Sequence, residues 1–185
     1  MTAMCDVAFL LLTFFMLTTK FKPDEPVVVD TPSSISEIKL PETDIITITI
    51  DKEGAVFFGI DGQFTREKLI QKMAERYTLA FSPEEIKSFS VLSSIGLPVA
   101  NLKEFLNMNS EQRAKVKQTG VPCDSLKNEL GDWILFARQS NPKFRIAVKG
   151  DRDAKFPVVK EVIATLQEKK VNKFNFITSM ETAPQ

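Results

Sequence analysis

The sequence IITITI, residues 45–50, carries the strongest structural signal in the chain, because isoleucine and threonine alternate from Ile46 onward as in a half-buried β-strand. A second apolar run, AVFF at residues 55–58, follows after the Gly-containing segment DKEG. Two such runs joined by a short Gly-containing segment predict a β-hairpin. We therefore expect the folded domain to begin at this hairpin.

The segments after the hairpin predict further strands and helices. Thr65 is the predicted N-cap of a helix that runs to about Tyr77. Residues 144–148 (FRIAV) alternate as a strand, residues 156–169 form an amphipathic helix, and residues 174–178 (FNFIT) form a closing strand. The predicted fold class is therefore a two-layer α+β domain, residues 45–180, with the order β-β-α, a helical insert, then β-α-β.

The helical insert is predicted at about residues 79–140. Ser82 followed by Pro83 is a typical helix start. Further helical segments are predicted at residues 86–91, 102–108, 110–119 and 123–139. The last of these has the clearest pattern, because apolar residues beside Trp133 repeat at helical spacing: Leu126, Leu130, Ile134 and Ala137.

The composition excludes several classes of protein. Lys plus Arg and Asp plus Glu number 24 each, so no net charge favours nucleic acid or an anionic substrate. The absence of histidine excludes Ser-His-Asp hydrolases and removes the commonest zinc ligand. The charged run at residues 149–153 is interpreted as a solvated turn, and Cys5 and Cys123 predict no disulfide. We predict no enzyme activity, no cofactor, no metal and no nucleic-acid partner.

The apolar run at residues 1–19 contains one charged side chain, Asp6, and is closed by Lys20, Lys22 and Pro23. A helix of this length reaches roughly 28 Å, close to the ~30 Å hydrocarbon thickness of a bilayer. A signal peptide needs a basic start and a cleavage site, a buried core helix is rarely apolar on all sides, and an interfacial helix needs a polar face. A single transmembrane helix is therefore the preferred interpretation over these three alternatives.

Asp6 has two interpretations. As a functional group it faces a bundle interior or a water-filled path and takes up and releases protons; Thr13, on the same helical face, is a weaker second residue of that site. As a structural group it is an interfacial acid that reaches the headgroup region. A membrane anchor normally carries Lys or Arg on its cytoplasmic side, so we expect Met1 to lie inside a longer native chain with a basic tail.

Residues 20–44 predict a flexible linker, because Pro, Ser, Thr, Asp and Glu dominate them. Within this linker, Val27, Val28 and Val29 form a β-branched triplet flanked by prolines, which limits it to a short edge strand. We expect the triplet to bind a partner sheet edge, either that of its own domain or that of a second copy.

The apolar N-terminal run resembles the transmembrane helix of the ExbD/TolR biopolymer-transport proteins, which has an aspartate, a valine, an apolar stretch with Phe-Met and a closing threonine. Asp6 matches the membrane aspartate of that family. Residues 47–73 and residues 146–178 resemble the strands and helices of its periplasmic domain. Residues 79–140 are much longer than the usual connection in the family, so we expect the core fold to form without them.

The resemblance implies a single-pass inner-membrane protein with its C-terminal domain in the periplasm. It implies a homodimer inside a ring of ExbB/TolQ/MotA-like subunits, driven by the proton motive force and acting on a TonB-like protein that opens outer-membrane transporters. It leaves open a passive alternative, in which the helix is only an anchor and the domain binds peptidoglycan or a partner protein, as in the TolR branch. A secreted domain released by cleavage is a third alternative. The resemblance does not identify the cargo.

Overall fold

The computed structural model describes residues 2–18, 33–34, 44–124, 127–171, 174–177 and 179–180. Its helices are α1 (Thr2–Thr18), α2 (Gln63–Tyr77), α3 (Pro83–Ser90), α4 (Val99–Asn107), α5 (Ser110–Lys115), α6 (Glu129–Ser140) and α7 (Phe156–Glu168). Its strands are β1 (Ser33–Ser34), β2 (Ile45–Ile50), β3 (Val56–Ile60), β4 (Ser94–Ile95), β5 (Cys123–Asp124), β6 (Lys127–Asn128), β7 (Arg145–Gly150), β8 (Phe174–Ile177) and β9 (Ser179–Met180). The predicted α+β class is confirmed.

The main sheet has five strands in the order β4-β3-β2-β7-β8. β2 and β3 form the predicted antiparallel hairpin, whereas β2 pairs with β7, and β7 with β8, in parallel. The sheet is therefore mixed, with the IITITI strand at its centre. Two smaller pairs lie outside it: β1 with β9 in parallel, and β5 with β6 antiparallel.

One face of the sheet forms the core. The alternation in β2 buries Ile46, Ile48 and Ile50 completely, and the register sets Ile48 opposite both Phe58 and Val148. Because side chains alternate across a strand, these residues share one face. The helices cover this face with buried side chains in a single cluster: Leu69, Ile70, Met73, Leu102, Leu130, Trp133, Ile134, Val162 and Leu166.

The predicted insert is part of this core. Trp133 on α6 is fully buried, and its ring stacks on Phe58 of β3 and Phe89 of α3 with centroid distances of 5.7 and 5.8 Å. The insert also contributes β4, which pairs with β3 at the edge of the sheet. The insert is therefore not separate from the core, because α6 supplies a large share of the apolar side chains that cover the sheet. This contact argues against the expectation that the core fold forms without residues 79–140.

Several helix boundaries differ from the sequence predictions. Thr65 is not the N-cap of α2: the helix begins at Gln63 after Gly62, whose φ of 90° suits glycine and turns the chain from β3 into the helix. α5 ends at Lys115, since Val116 is already extended. α6 starts at Glu129 instead of residue 123, because the β5-β6 pair takes up the preceding residues.

The start of α3 agrees with its prediction. The side chain of Ser82 accepts a hydrogen bond from the Glu85 backbone N–H at 3.2 Å, and the Glu85 carboxylate accepts one from the Ser82 backbone N–H at 2.7 Å. This reciprocal pair satisfies two backbone donors at the helix start. Glu85 is almost fully buried and also accepts a bond from Asn107 of α4 at 2.8 Å, which joins the two helices.

The N-terminal run forms α1, a helix of 17 residues. No helix in the described part of the chain has both the length and the apolar character required to cross a membrane. The predicted linker, residues 20–44, is described only at β1 and at Asp44. Val27, Val28 and Val29 lie outside the described residues.

Candidate functional site

The candidate site is the surface of α1. Its large apolar side chains are exposed on every side of the helix, from 53% at Leu11 to 88% at Leu17. A contiguous apolar surface of this kind normally marks contact with a membrane or with another protein. Asp6 is the only charged side chain of the helix, and it is exposed as well.

Asp6 and Thr13 lie on one face of α1. They are seven residues apart, which is close to two helical turns and about 10 Å along the axis. Leu10 and Leu17 occupy the same stripe, so the two polar groups alternate with leucine side chains. The helix thus places one carboxyl group and one hydroxyl group at two depths along a single apolar stripe.

The hydroxyl group of Thr13 is already bonded within the helix. Its Oγ1 donates a hydrogen bond to the backbone carbonyl oxygen of Leu10 at 2.9 Å. This bond lets a threonine lie on an apolar surface at little cost, because its proton has an acceptor. The hydroxyl oxygen retains lone pairs that can accept a further bond. The carboxyl group of Asp6 is the ionisable group on this stripe.

The ionisable groups inside the α+β domain join its elements together. Tyr77 of α2 donates a hydrogen bond to Asp132 of α6 at 3.0 Å, and burial, followed by this bond, raises the pKa of Tyr77 above its usual range. Glu129 of α6 accepts a bond from the Val99 backbone N–H at 2.7 Å, and burial raises its pKa. Both contacts fasten α6 to a neighbouring helix.

The two cysteines are free, as predicted, and lie in different surroundings. Cys5 is exposed on α1, whereas Cys123 is buried, with its Sγ 3.8 Å from a carboxylate oxygen of Glu161. Burial, followed by the nearby negative charge of Glu161, raises the pKa of Cys123 to about 11. A thiol of this kind stays protonated at neutral pH and is a poor nucleophile.

The structure also forms a cleft of about 250 Å³ between the β2–β3 turn on one side and α5 with the segment that follows it on the other. Glu53 and Lys117 meet across it in an ion pair of 2.5 Å. This contact was not predictable from the sequence, because two exposed charges far apart in the chain leave no periodic pattern. The insert forms one side of the cleft, and only the structure shows where the insert lies on the domain.

The exposed apolar helix with a single carboxyl group, followed by a small α+β domain, agrees with the resemblance of the sequence to the biopolymer-transport proteins. The chain matches the family described as "Biopolymer transport protein ExbD/TolR" over residues 1–181, and it belongs to that family. The matched range includes residues 79–140, so the long helical segment lies within it. No curated protein and no solved structure matches the chain.

Membership in this family has direct consequences for function. The ExbD/TolR proteins are transport proteins and not enzymes, as the sequence predicted for this chain. Membership implies an inner-membrane protein that faces the periplasm, with partners of the ExbB/TolQ type. The family match over residues 1–181 confirms the resemblance seen in the sequence.

Proposed function

We propose that this chain is a subunit of an inner-membrane motor of the ExbB–ExbD type, which couples the proton motive force to TonB-dependent transport across the outer membrane. In this proposal residues 1–19 span the membrane once and residues 45–180 lie in the periplasm. The observation that supports it most strongly is the single carboxyl group of Asp6 on a helix whose apolar side chains are exposed.

The apolar surface of α1 needs a low-dielectric environment. The helix itself reaches about 26 Å, and a slightly short helix is accommodated by local thinning of the bilayer and by flanking side chains that reach the interface. We propose that the surface of α1 is covered by lipid, by a second copy of α1 and by the helices of a surrounding ring. In such surroundings an ionised carboxylate is costly, so Asp6 has to face a polar path or take up a proton.

This cost supplies the coupling that we propose. In its protonated, neutral form, the Asp6 side chain moves past an apolar surface of the ring partner. When it then reaches a water-filled path on the other side of that surface, it loses the proton. Moving one charge through 100 mV provides about 2.3 kcal/mol, enough to bias the direction of the cycle. Thr13, about 10 Å further along the same stripe, offers a hydroxyl oxygen to a water or a proton donor at a second depth.

Replacing Asp6 tests the proposal. Asp6→Asn keeps the size and much of the hydrogen bonding but cannot ionise, so the complex should assemble and energy-dependent uptake of a TonB-type substrate should be lost. Asp6→Glu keeps the carboxyl group and should retain part of the uptake. Asp153→Asn, which removes an exposed carboxylate in the turn before α7, is the matched control and should transport normally.

A passive anchor is the second candidate, and one observation favours it. Asp6 is the fifth residue of α1, close enough to the helix end for its carboxylate to reach the headgroup region. The domain would then bind peptidoglycan or a partner protein without moving protons. Full uptake by assembled Asp6→Asn protein would contradict the motor and leave this anchored binding module in its place.

A further inference from the structure

The cleft at the β2–β3 turn carries opposite charges on its two walls. Asp51 and Glu53 line it from the hairpin, and Arg113 and Lys117 line it from the insert. Phe57 of β3 also lines the cleft and is almost fully buried. The two walls therefore present negative and positive groups to each other across a space of about 250 Å³.

Hydrogen bonds fix the acidic wall. The Asp51 carboxylate accepts a hydrogen bond from the Ala55 backbone N–H at 2.8 Å. The Asp51 backbone N–H in turn donates a hydrogen bond to the Ala55 carbonyl at 3.1 Å. The Gly54 backbone N–H donates to the Asp51 carbonyl at 3.1 Å, and the φ of Gly54 is 90°, a value that suits glycine. The turn that carries Glu53 is therefore a defined structure, not a loose loop.

The basic wall is tied to the sheet. The Gln118 side chain accepts a bond from the Gly96 backbone N–H at 2.6 Å, and the Val121 backbone N–H donates to the Val56 carbonyl at 2.7 Å. Gly120 lies so close to β3 that a Cβ atom there would come within 2.7 Å of the Val56 backbone nitrogen. These contacts set the distance between the walls before any ligand binds.

Arg113 is held in place and retains binding capacity. Its guanidinium group donates to the backbone carbonyls of Phe105 and Leu106 at 3.2 and 2.6 Å and lies over the Phe105 ring, 5.8 Å from its centroid. A guanidinium group has five N–H donors in a rigid plane, and these contacts use two of them. The remaining donors suit a carboxylate that enters the cleft.

The ion pair across the cleft is easily replaced. The hydrogen bond between the two side chains lowers the pKa of Glu53 and raises the pKa of Lys117, so both groups are charged at neutral pH. The side chain of Glu53 is 54% exposed and that of Lys117 is 77% exposed, and an exposed ion pair contributes little to stability. A ligand that carries both charges can therefore bind each partner without leaving either one unpaired.

We propose that this cleft binds a short zwitterion, a free amino acid or a dipeptide, with its ammonium group on the wall of Asp51 and Glu53 and its carboxylate on the wall of Arg113 and Lys117. The volume lies below the 300–1,000 Å³ usual for larger ligands, which limits the ligand to this size. Phe57 offers little exposed ring surface, so small side chains fit best. The site is independent of the role proposed for α1.

Titration of the ¹⁵N-labelled full chain in detergent micelles with alanyl-alanine tests the proposal. Amide shifts are expected at the β2–β3 turn and at residues 113–118. N-acetyl-alanyl-alanine and alanyl-alanine amide each lack one charge, and each should bind at least about tenfold more weakly. Equal affinity for the blocked and unblocked dipeptides, or no shifts at millimolar alanyl-alanine, would overturn the proposal.

Two charge reversals on the same segment separate the cleft from a general effect of charge. Lys117→Glu reverses a charge that lines the cleft and should abolish the shifts. Lys115→Glu reverses an exposed charge at the end of α5 that does not line it, and should leave the affinity unchanged. Circular dichroism of both variants checks that they are folded. An equal loss of binding in both variants would also contradict the site.

Discussion

Glu129 is a half-buried carboxylate whose ionisation is linked to the stability of the domain. Burial raises its pKa from the ordinary value of 4.5, and the hydrogen bond from the Val99 backbone N–H and the charge of Lys127 oppose that shift. The folded state therefore holds the proton of Glu129 more tightly than the unfolded chain does. The stability that this group contributes is fully present below about pH 4.5 and is lost as the pH rises through the folded pKa.

Glu129→Gln tests this linkage. The amide oxygen of glutamine can accept the same bond from Val99 and does not ionise, so the variant should lack the decline in stability that Glu129 causes. The difference in free energy of unfolding, variant minus native, should grow as the pH is raised from 4 to 7 in urea titrations. Glu104→Gln on the exposed side of α4 controls for the loss of one negative charge. A difference that shrinks with rising pH would contradict the assignment.

At the level of helices and strands, α6 is the element that most changes the interpretation of the sequence. Its pattern predicted a helix but not what the helix covers. The structure packs Trp133 between Phe58 and Phe89 and buries Leu130 and Ile134 beside it. An insertion that looks like an addition to a complete unit therefore supplies several of the side chains that cover its sheet.

Deleting residues 79–140 should consequently unfold the domain. Trp133→Ala should lower the free energy of unfolding by about 3–5 kcal/mol, because it leaves a large cavity in the core. Trp133→Phe should cost less, since a ring remains and the indole N–H, which has no acceptor among the described residues, is removed. Urea unfolding followed by circular dichroism measures all three. A deletion variant that unfolds cooperatively would restore the expectation that the insert is dispensable.

The sequence predicted a helix or strand well where interactions between residues close together in the chain determine it. The alternation of Ile46 to Ile50 depends on strand geometry, and the Ser82–Glu85 capping pair depends on four consecutive residues. Contacts across the chain left no such signal: β4 is only two residues long, and Glu53 meets Lys117 through the course of the insert. Asp6 was predictable as a candidate site residue, because a single charge in an apolar run can be recognised from the sequence without knowledge of the fold.

For the molecule as a whole, the outer strands of the main sheet are β4 and β8. β1 pairs in parallel with β9, Ser33 opposite Ser179, and β9 follows β8 closely in the chain. The Val27–Val29 triplet precedes β1 in the chain, as β8 precedes β9. We therefore propose β8, of the same copy or of a second one, as the sheet edge for the Val27–Val29 triplet.

Val28→Pro should weaken that pairing, because proline lacks the N–H that a ladder bond requires. Hydrogen exchange should become faster across β8, and if the edge belongs to a second copy, the dimer should dissociate at higher protein concentration. Val28→Thr, which keeps the N–H and a β-branched side chain, is the control. Unchanged exchange across β8 together with unchanged dimerisation in the proline variant would remove this role for the triplet.

The position of β2 has a mechanical consequence. The chain enters the domain at Ile45, the first residue of the central strand, which is hydrogen-bonded to β3 on one side and to β7 on the other. Tension that reaches the domain through its N-terminal tether would thus act along β2 and load the bonds of both ladders in shear. Bonds loaded in shear share the force and break together, whereas bonds peeled from an edge break one at a time. In the motor that we propose, a domain pulled by its central strand would transmit a stroke without unravelling.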